Sequence, residues 1–543
     1  MQTVPEAPEI EAFLKHYEDL AGPRERALGE AYWSLATTGT REAQERLVEA
    51  SLAYNEVFQD EGAFGKLSAW RERLGGRKDA LSRQVEVLYL TFAASQGDRE
   101  TLARIEELES EASSVYGNHR AEVGGRALSA NELLEVLRDS TDEAERRTAW
   151  EVSKTVGREV EGTVRELARL RNRVAREQGF RDHYERSLVL QEIDPEQLEE
   201  IMSSLKEATD GPFRELRTRL DEHLREKFGV QEVMPWHFSN PFFQSCKREA
   251  SEALGLTPNL DELFAGRDLL ALLKTTYDNL GLEIRDVLAR SDLYEREGKD
   301  QHAFCLHVGR QSPYDVRVLA NVRPDHYWTD TLLHEFGHAV YDKHHDPYLP
   351  FFLRSIAHTN TTEAIALMMG SLADDPVWLE RVAGFPAEAA SGAWQMNRLD
   401  KLTFLRWALV VYRFEQALYA DPDRKDLNAV WWDLVEELQM QKRPEGRDEP
   451  DWAAKIHVAT APVYYHNYVL GELTATQLRS FIETNVTHGP FFLNGPGEMA
   501  GRYLIEAVFG PGARDDWRET VERATGEALD PERFVASLEA ARV

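Results

Sequence analysis

The chain has 543 residues, 42% hydrophobic and 29% charged, a globular composition that excludes whole-chain disorder, collagen-like repeats and low-complexity architecture. Its 64 Lys and Arg face 95 Asp and Glu, and a net charge of −31 repels nucleic acid and anionic membrane surfaces, so neither is expected as a partner. Two cysteines, Cys246 and Cys305, are too few for a disulfide framework or a cysteine-based zinc site, so any metal must be held by His, Asp or Glu.

The segment from Met1 to Pro8 has neither a basic start nor an apolar stretch, and the apolar run near Phe404–Phe414 is broken by Arg406 and Arg413. The expectation is therefore no signal peptide, no membrane span and a cytoplasmic location. Up to about Leu282 the apolar residues recur at helical spacing. Leu102, Ile105, Leu108, Ala112 and Val115 form one stripe, and Val164, Leu167, Ala168 and Val174 another. Breakers fall at corners: Gly75-Gly76, Gly124-Gly125 and the stretch Pro235 to Pro241. After Leu282 the period changes, and Leu282 to Ile284, His302 to Val308 and Val316 to Val322 read as two or three short strands. Helical spacing resumes at about Asp330, with corners at Pro347, Pro386, Pro444, Pro462, Pro490 and Gly495 to Gly497. The fold class expected is mostly α with one small β-sheet.

Just after that sheet stands His334-Glu335-Phe336-Gly337-His338, with Thr329 or Asp330 placed to cap its helix. Helical positions four apart lie one above the other, so both imidazoles face one side at a separation that suits one zinc ion. Glu335 is rotated off that line, where it can take the proton of an attacking water. Catalytic zinc uses three protein ligands, so a third is required. Glu363 fits: it is the sole acid in the run Thr361 to Met369, 25 residues after His338, beside Ile365, Leu367 and Met368, which imply burial. His326, His344, His345 and His358 surround the motif and read as surface or supporting residues.

The pair His334 and His338 with distant Glu363 resembles the gluzincin metallopeptidases, and Glu363-Ala364-Ile365 at this spacing resembles the angiotensin-converting enzyme (peptidyl-dipeptidase A) family, with the thimet oligopeptidase family as a relative. A second block, Lys455-Ile456-His457-Val458 followed by Tyr464-Tyr465-His466-Asn467-Tyr468, is similar to the first family's substrate block. By that resemblance Lys455 and Tyr465 bind the substrate's terminal carboxylate, with Tyr464 competing for the tyrosine role, and His457 and Tyr468 serve the oxyanion. Imidazole and phenol donors suit that task independently. The strand around His307 resembles the family's substrate-lying strand, although His307 stands two residues after Cys305 instead of directly after it. The segment Pro235 to Gln244 resembles the region that contributes a carboxylate-binding glutamine, which makes Gln244 a candidate for that role. Two departures stand out: Leu367 replaces the aspartate that steadies a zinc histidine, and His466-Asn467 replace a chloride-binding arginine, which puts chloride activation in doubt.

The resemblance implies an elongated, two-lobed helical metallopeptidase with a deep central channel and the sheet beside the zinc. The whole chain, 1–543, would be one catalytic domain: residues 1–281 a helical part with a lid, 282–475 the active-site sheet and zinc and substrate helices, and 476–543 closing helices. The function expected is zinc-dependent hydrolysis of short peptides with release of C-terminal dipeptides. Alternatives are a zinc oligoendopeptidase cutting internally, an aminopeptidase, disfavoured because no G-x-M-E-N segment precedes the motif, and a catalytically silent peptide-binding protein.

Overall fold

The structure, a computed structural model, describes residues 6–256 and 260–539. The chain groups into two compact units, each assembled from three stretches. Unit one joins Met1–Gln96, Pro258–Ser391 and Leu470–Asp530; unit two joins Gly97–Thr257, Gly392–Val469 and Pro531–Val543. Nearly all regular structure is helical, and part of the acidic surplus sets where helices begin. Asp60, Asp79, Asp98, Asp182, Asp268 and Asp325 each sit at an N-cap and accept the backbone N–H three residues on. Each such cap stabilises its helix by about 1 kcal/mol.

Four short strands make two antiparallel hairpins. β1 (Ala121–Val123) pairs with β2 (Arg126–Leu128) in unit two, and β3 (Phe304–His307) with β4 (Val316–Leu319) in unit one. The mostly helical class with a small sheet beside the motif helix holds, and among the described residues the hairpin in unit two is an addition to it. Gly124 and Gly125, read as a helix corner, form the tight turn of the extra hairpin with φ of 56° and 80°, a conformation glycine adopts without strain. Three-residue arms are too short to show an alternating pattern. Leu282 to Ile284 is no strand either, but leads into the helix Arg285–Arg290.

In unit one the helices Ala7–Thr38, Glu61–Leu74 and Ala80–Ser95 bury Ile10, Leu14, Leu67, Trp70, Leu88 and Phe92 in one core, which Phe351 and Phe352 also enter. In the second hairpin Val308 N–H donates to Asp315 O at 2.8 Å, and Cys305 faces Val318 while His307 faces Val316. Ladder alternation then points the backbone groups of Cys305 and His307 away from β4, and among the described residues no strand covers that edge.

Unit two confirms both predicted stripes. The helices Arg99–Asn118 and Val156–Glu177 pack through Leu108, Leu167 and Leu170. The apolar run near Phe404 lies in the helix Ala387–Ala420, where buried Arg406 bonds Asp210 at 2.7 Å and Arg413 bonds Glu199. Among the described residues no helix is long and apolar enough to cross a membrane.

Candidate active site

The motif lies in the helix His326–Lys343, which starts one turn before the expected caps. Asp325 accepts Trp328 N–H at 2.8 Å, and Thr329's hydroxyl donates to Asp325 O at 2.8 Å, so Thr329 and Asp330 are interior residues. Trp328 is the one buried apolar residue of the first turn, too little to extend the apolar stripe back to the true start. After a 3-10 turn at Phe351–Leu353 the chain returns as the helix Thr359–Gly370, capped by buried His358, whose Nδ1 accepts Asn360 N–H at 3.0 Å.

These two helices cross closely because glycine stands at the crossing. A Cβ on Gly337 would lie 2.9 Å from the Ala366 Cα, and one on Gly370 would lie 2.4 Å from Asp330 Oδ1. The close crossing brings Glu363 to the histidines. His334 Nε2 and His338 Nε2 are 3.2 Å apart, and Glu363 Oε2 is 3.7 Å from the first and 3.9 Å from the second. Three atoms so spaced share a point about 2.1 Å from each, the length of a Zn–N or Zn–O bond. The donor set therefore fits zinc in both chemistry and spacing. Nδ1 of His338 lies 2.7 Å from Thr362 Oγ1, and a proton on that nitrogen leaves the Nε2 lone pair facing Glu363. Thr362 thus supports His338 where Leu367 cannot.

Glu335 is buried, at 9% exposure. Burial raises its pKa above the ordinary glutamate value and Glu363 adds to the rise, while His334 and the backbone N–H of Cys305 oppose it. Its carboxylate thus lies against the outward edge of β3, one residue rotation away from the ligand line. The ring of His307 sits 5.3 Å from that of Tyr314 and 6.0 Å from that of His345, and its Nε2 is buried with no hydrogen-bond partner.

The four outlying histidines are not on the surface. His345 is buried at 2% exposure; His326 bonds Asp374 at 2.8 Å; His344 bonds Val340 O at 2.8 Å; and His358 is the helix cap already described. The last turn of an amphipathic helix and the residues just past it do not announce which side they bury.

Unit two gathers the substrate block. Lys455 Nζ donates to Gln244 Oε1 at 3.1 Å and lies 5.5 Å from the Trp407 ring, 5.8 Å from Phe242 and 6.0 Å from Tyr465. Loss of hydration lowers the Lys455 pKa to about 8. The Tyr465 ring is 5.2 Å from that of His457 and 5.6 Å from that of Tyr468. Tyr465 is buried, whereas Tyr464 is half-buried and packs on Tyr468 at 5.1 Å. Lys455, Gln244 and Tyr465 are therefore neighbours, and His457 and Tyr468 flank Tyr465. Where the arginine was expected, buried His466 and Asn467 both bond Gln191 Oε1, at 3.2 and 2.8 Å.

Gln244 is positioned by a loop whose carbonyls are systematically bound. The Arg146 guanidinium donates to the carbonyls of Trp236 at 2.8 Å, His237 at 2.9 Å and Phe238 at 3.1 Å. Lys154 donates to Pro241 O at 2.8 Å, and Gln439 to Phe243 O at 2.9 Å. These supports were missed in the sequence, as was Thr362, although the hydroxyl next to Glu363 was a usable signal.

The sequence profile described as angiotensin-converting enzyme matches residues 4–237, and that of peptidase family M3 matches 136–540, about three quarters of the chain and every site residue named above. No curated protein matches the chain. The chain belongs to peptidase family M3, the thimet oligopeptidase family, and is a zinc metallopeptidase that acts on peptides.

Proposed function

We propose that the enzyme releases dipeptides from the free C-termini of short peptides. The observation that carries this reading is the Lys455–Gln244 hydrogen bond inside an aromatic surround that includes Tyr465, a cation and two donors gathered where a carboxylate can be held. His334, His338 and Glu363 would hold zinc, which when bound supplies a Lewis acid for the scissile carbonyl and for water. Glu335, kept basic but poorly hydrated, takes the water proton and passes it to the leaving amine. His457 and Tyr468 donate to the oxyanion. Lys455, Tyr465 and Gln244 fix the terminal carboxylate, and the open edge of β3 at His307 pairs with an extended peptide backbone. Two unpaired cysteines suit a reducing cytoplasm as its location.

One observation favours a second reading, an oligoendopeptidase with the same zinc chemistry. The angiotensin-converting enzyme profile ends at residue 237, before Gln244, Lys455 and the tyrosines whose roles that resemblance supplied. Mass spectrometry of products from a free-acid decapeptide and its C-terminally amidated twin separates the two. Stepwise loss of dipeptides from the free acid alone is the expected result; internal cleavage of both peptides overturns the dipeptidyl mode and leaves the zinc centre standing.

A further inference from the structure

A second cluster with metal-ligand chemistry lies outside the centre just described. His307 comes from β3, Asp342 from the last turn of the His326–Lys343 helix and His345 from just beyond it, and one ligand atom from each lies within 4.8 Å of the other two. His345 is 2% exposed, yet among the described residues neither of its ring nitrogens has a hydrogen-bond partner, and His307 Nε2 is equally unpartnered. A buried imidazole with both nitrogens unsatisfied is unstable unless something absent from the polypeptide satisfies it. The surroundings keep ordinary solvent away: Tyr314 and Tyr341 stand edge-on to His345, with ring centroids 6.0 and 5.6 Å away.

The protonation states agree with this geometry. Burial lowers His345 to about 3 and His307 to about 4, with Arg310 adding to both, so each ring presents a lone pair at neutral pH. The same loss of hydration lifts Asp342 to about 7. The nearby Arg310 charge is taken up by Glu25 at 2.8 Å, so it does not serve as the counter-ion of Asp342. Two neutral imidazoles and one carboxyl group make a zinc-type donor set, which a water can complete as fourth ligand.

We propose that His307, Asp342 and His345 bind a second divalent transition ion of the zinc class, which fastens β3 to the C-terminal end of the motif helix. Zinc ligands stand about 3.4 Å apart when bonds are about 2.1 Å, so binding draws the three side chains inward by small rotations. Fixing this end of β3 fixes the strand whose Cys305 N–H lies on Glu335. The inference does not depend on the exo or endo mode of cleavage, nor on His334, His338 and Glu363 being ligands.

The test is metal content per chain by plasma mass spectrometry, after chelator stripping, reloading with excess zinc and dialysis into metal-free buffer. Three proteins are compared: wild type, His345→Gln, and the double variant His334→Ala/His338→Ala, with circular dichroism to establish that each is folded. The proposal expects two ions in wild type and one in each variant, with a smaller zinc-induced rise in Tm for His345→Gln. Asp342→Asn replaces His345→Gln if the latter does not fold. One ion in wild type that persists in His345→Gln overturns the proposal and leaves the first centre intact. One ion that is lost in His345→Gln but kept in the double variant supports this site and overturns the first. Two ions retained by His345→Gln also overturn it.

Discussion

Lys455 works against folding. Its pKa in the folded chain, about 8, lies below the ordinary 10.5, so between those values the unfolded chain binds more protons and stability rises with pH. Below about 8 the opposition is complete, and a cation kept under those conditions is best explained by a bound anion. Lys455→Met should therefore stabilise the protein by about 1–2 kcal/mol in thermal unfolding. The same variant should raise KM for free-acid peptides about 10- to 100-fold, the worth of a charged hydrogen bond, and barely alter KM for amidated ones. In the wild type, kcat/KM for a free-acid peptide should fall as pH rises through about 8, because Lys455 loses its proton there, while the amidated peptide shows no such limb. An identical limb for both peptides would separate Lys455 from the carboxylate.

At the level of elements the proposed zinc centre is a helix crossing, and its closeness depends on Gly337. An added methyl would meet main-chain atoms of Ala366 and Ile365, which cannot swing aside as a flexible side chain can. Gly337→Ala should cost about 1–3 kcal/mol in thermal unfolding and weaken zinc in competition with a chelator, because the strain separates His338 from Glu363. Arg146→Met should leave three carbonyls of the Gln244 loop unpaired and cost about 2–4 kcal/mol. Much of this level was legible in the sequence. The i, i+4 histidines and the lone acid in an apolar helix carry their geometry in their spacing, and both stripes through Leu108 and Leu167 were readable because long helices repeat their pattern. The hairpin at Ala121 to Leu128 was not, since three-residue strands repeat nothing. Nor were the supports of the site: Thr362 acts through one hydrogen bond and Arg146 through a set of them, to partners distant in sequence or on another element.

Across the whole molecule, the grouping of three stretches into each unit rests on long-range packing, which local periodicity does not encode. That packing bears on metal removal. The helices carrying the proposed zinc ligands are also held by Tyr277 OH on Leu333 O at 2.7 Å and by Tyr341 against Thr361 at 3.3 Å. Chelation should therefore abolish hydrolysis while leaving the far-ultraviolet dichroism almost unchanged, with activity restored by zinc; loss of helix on chelation would show that the metal carries the fold.

In the proposed mechanism Glu335 moves the proton at a zinc centre made by His334, His338 and Glu363. Its most direct test is Glu335→Gln, assayed side by side with wild type for zinc content and for turnover of one short peptide. Equal zinc and a loss of about 10²- to 10⁴-fold in kcat are expected. Wild-type turnover in the Glu335→Gln enzyme would contradict it.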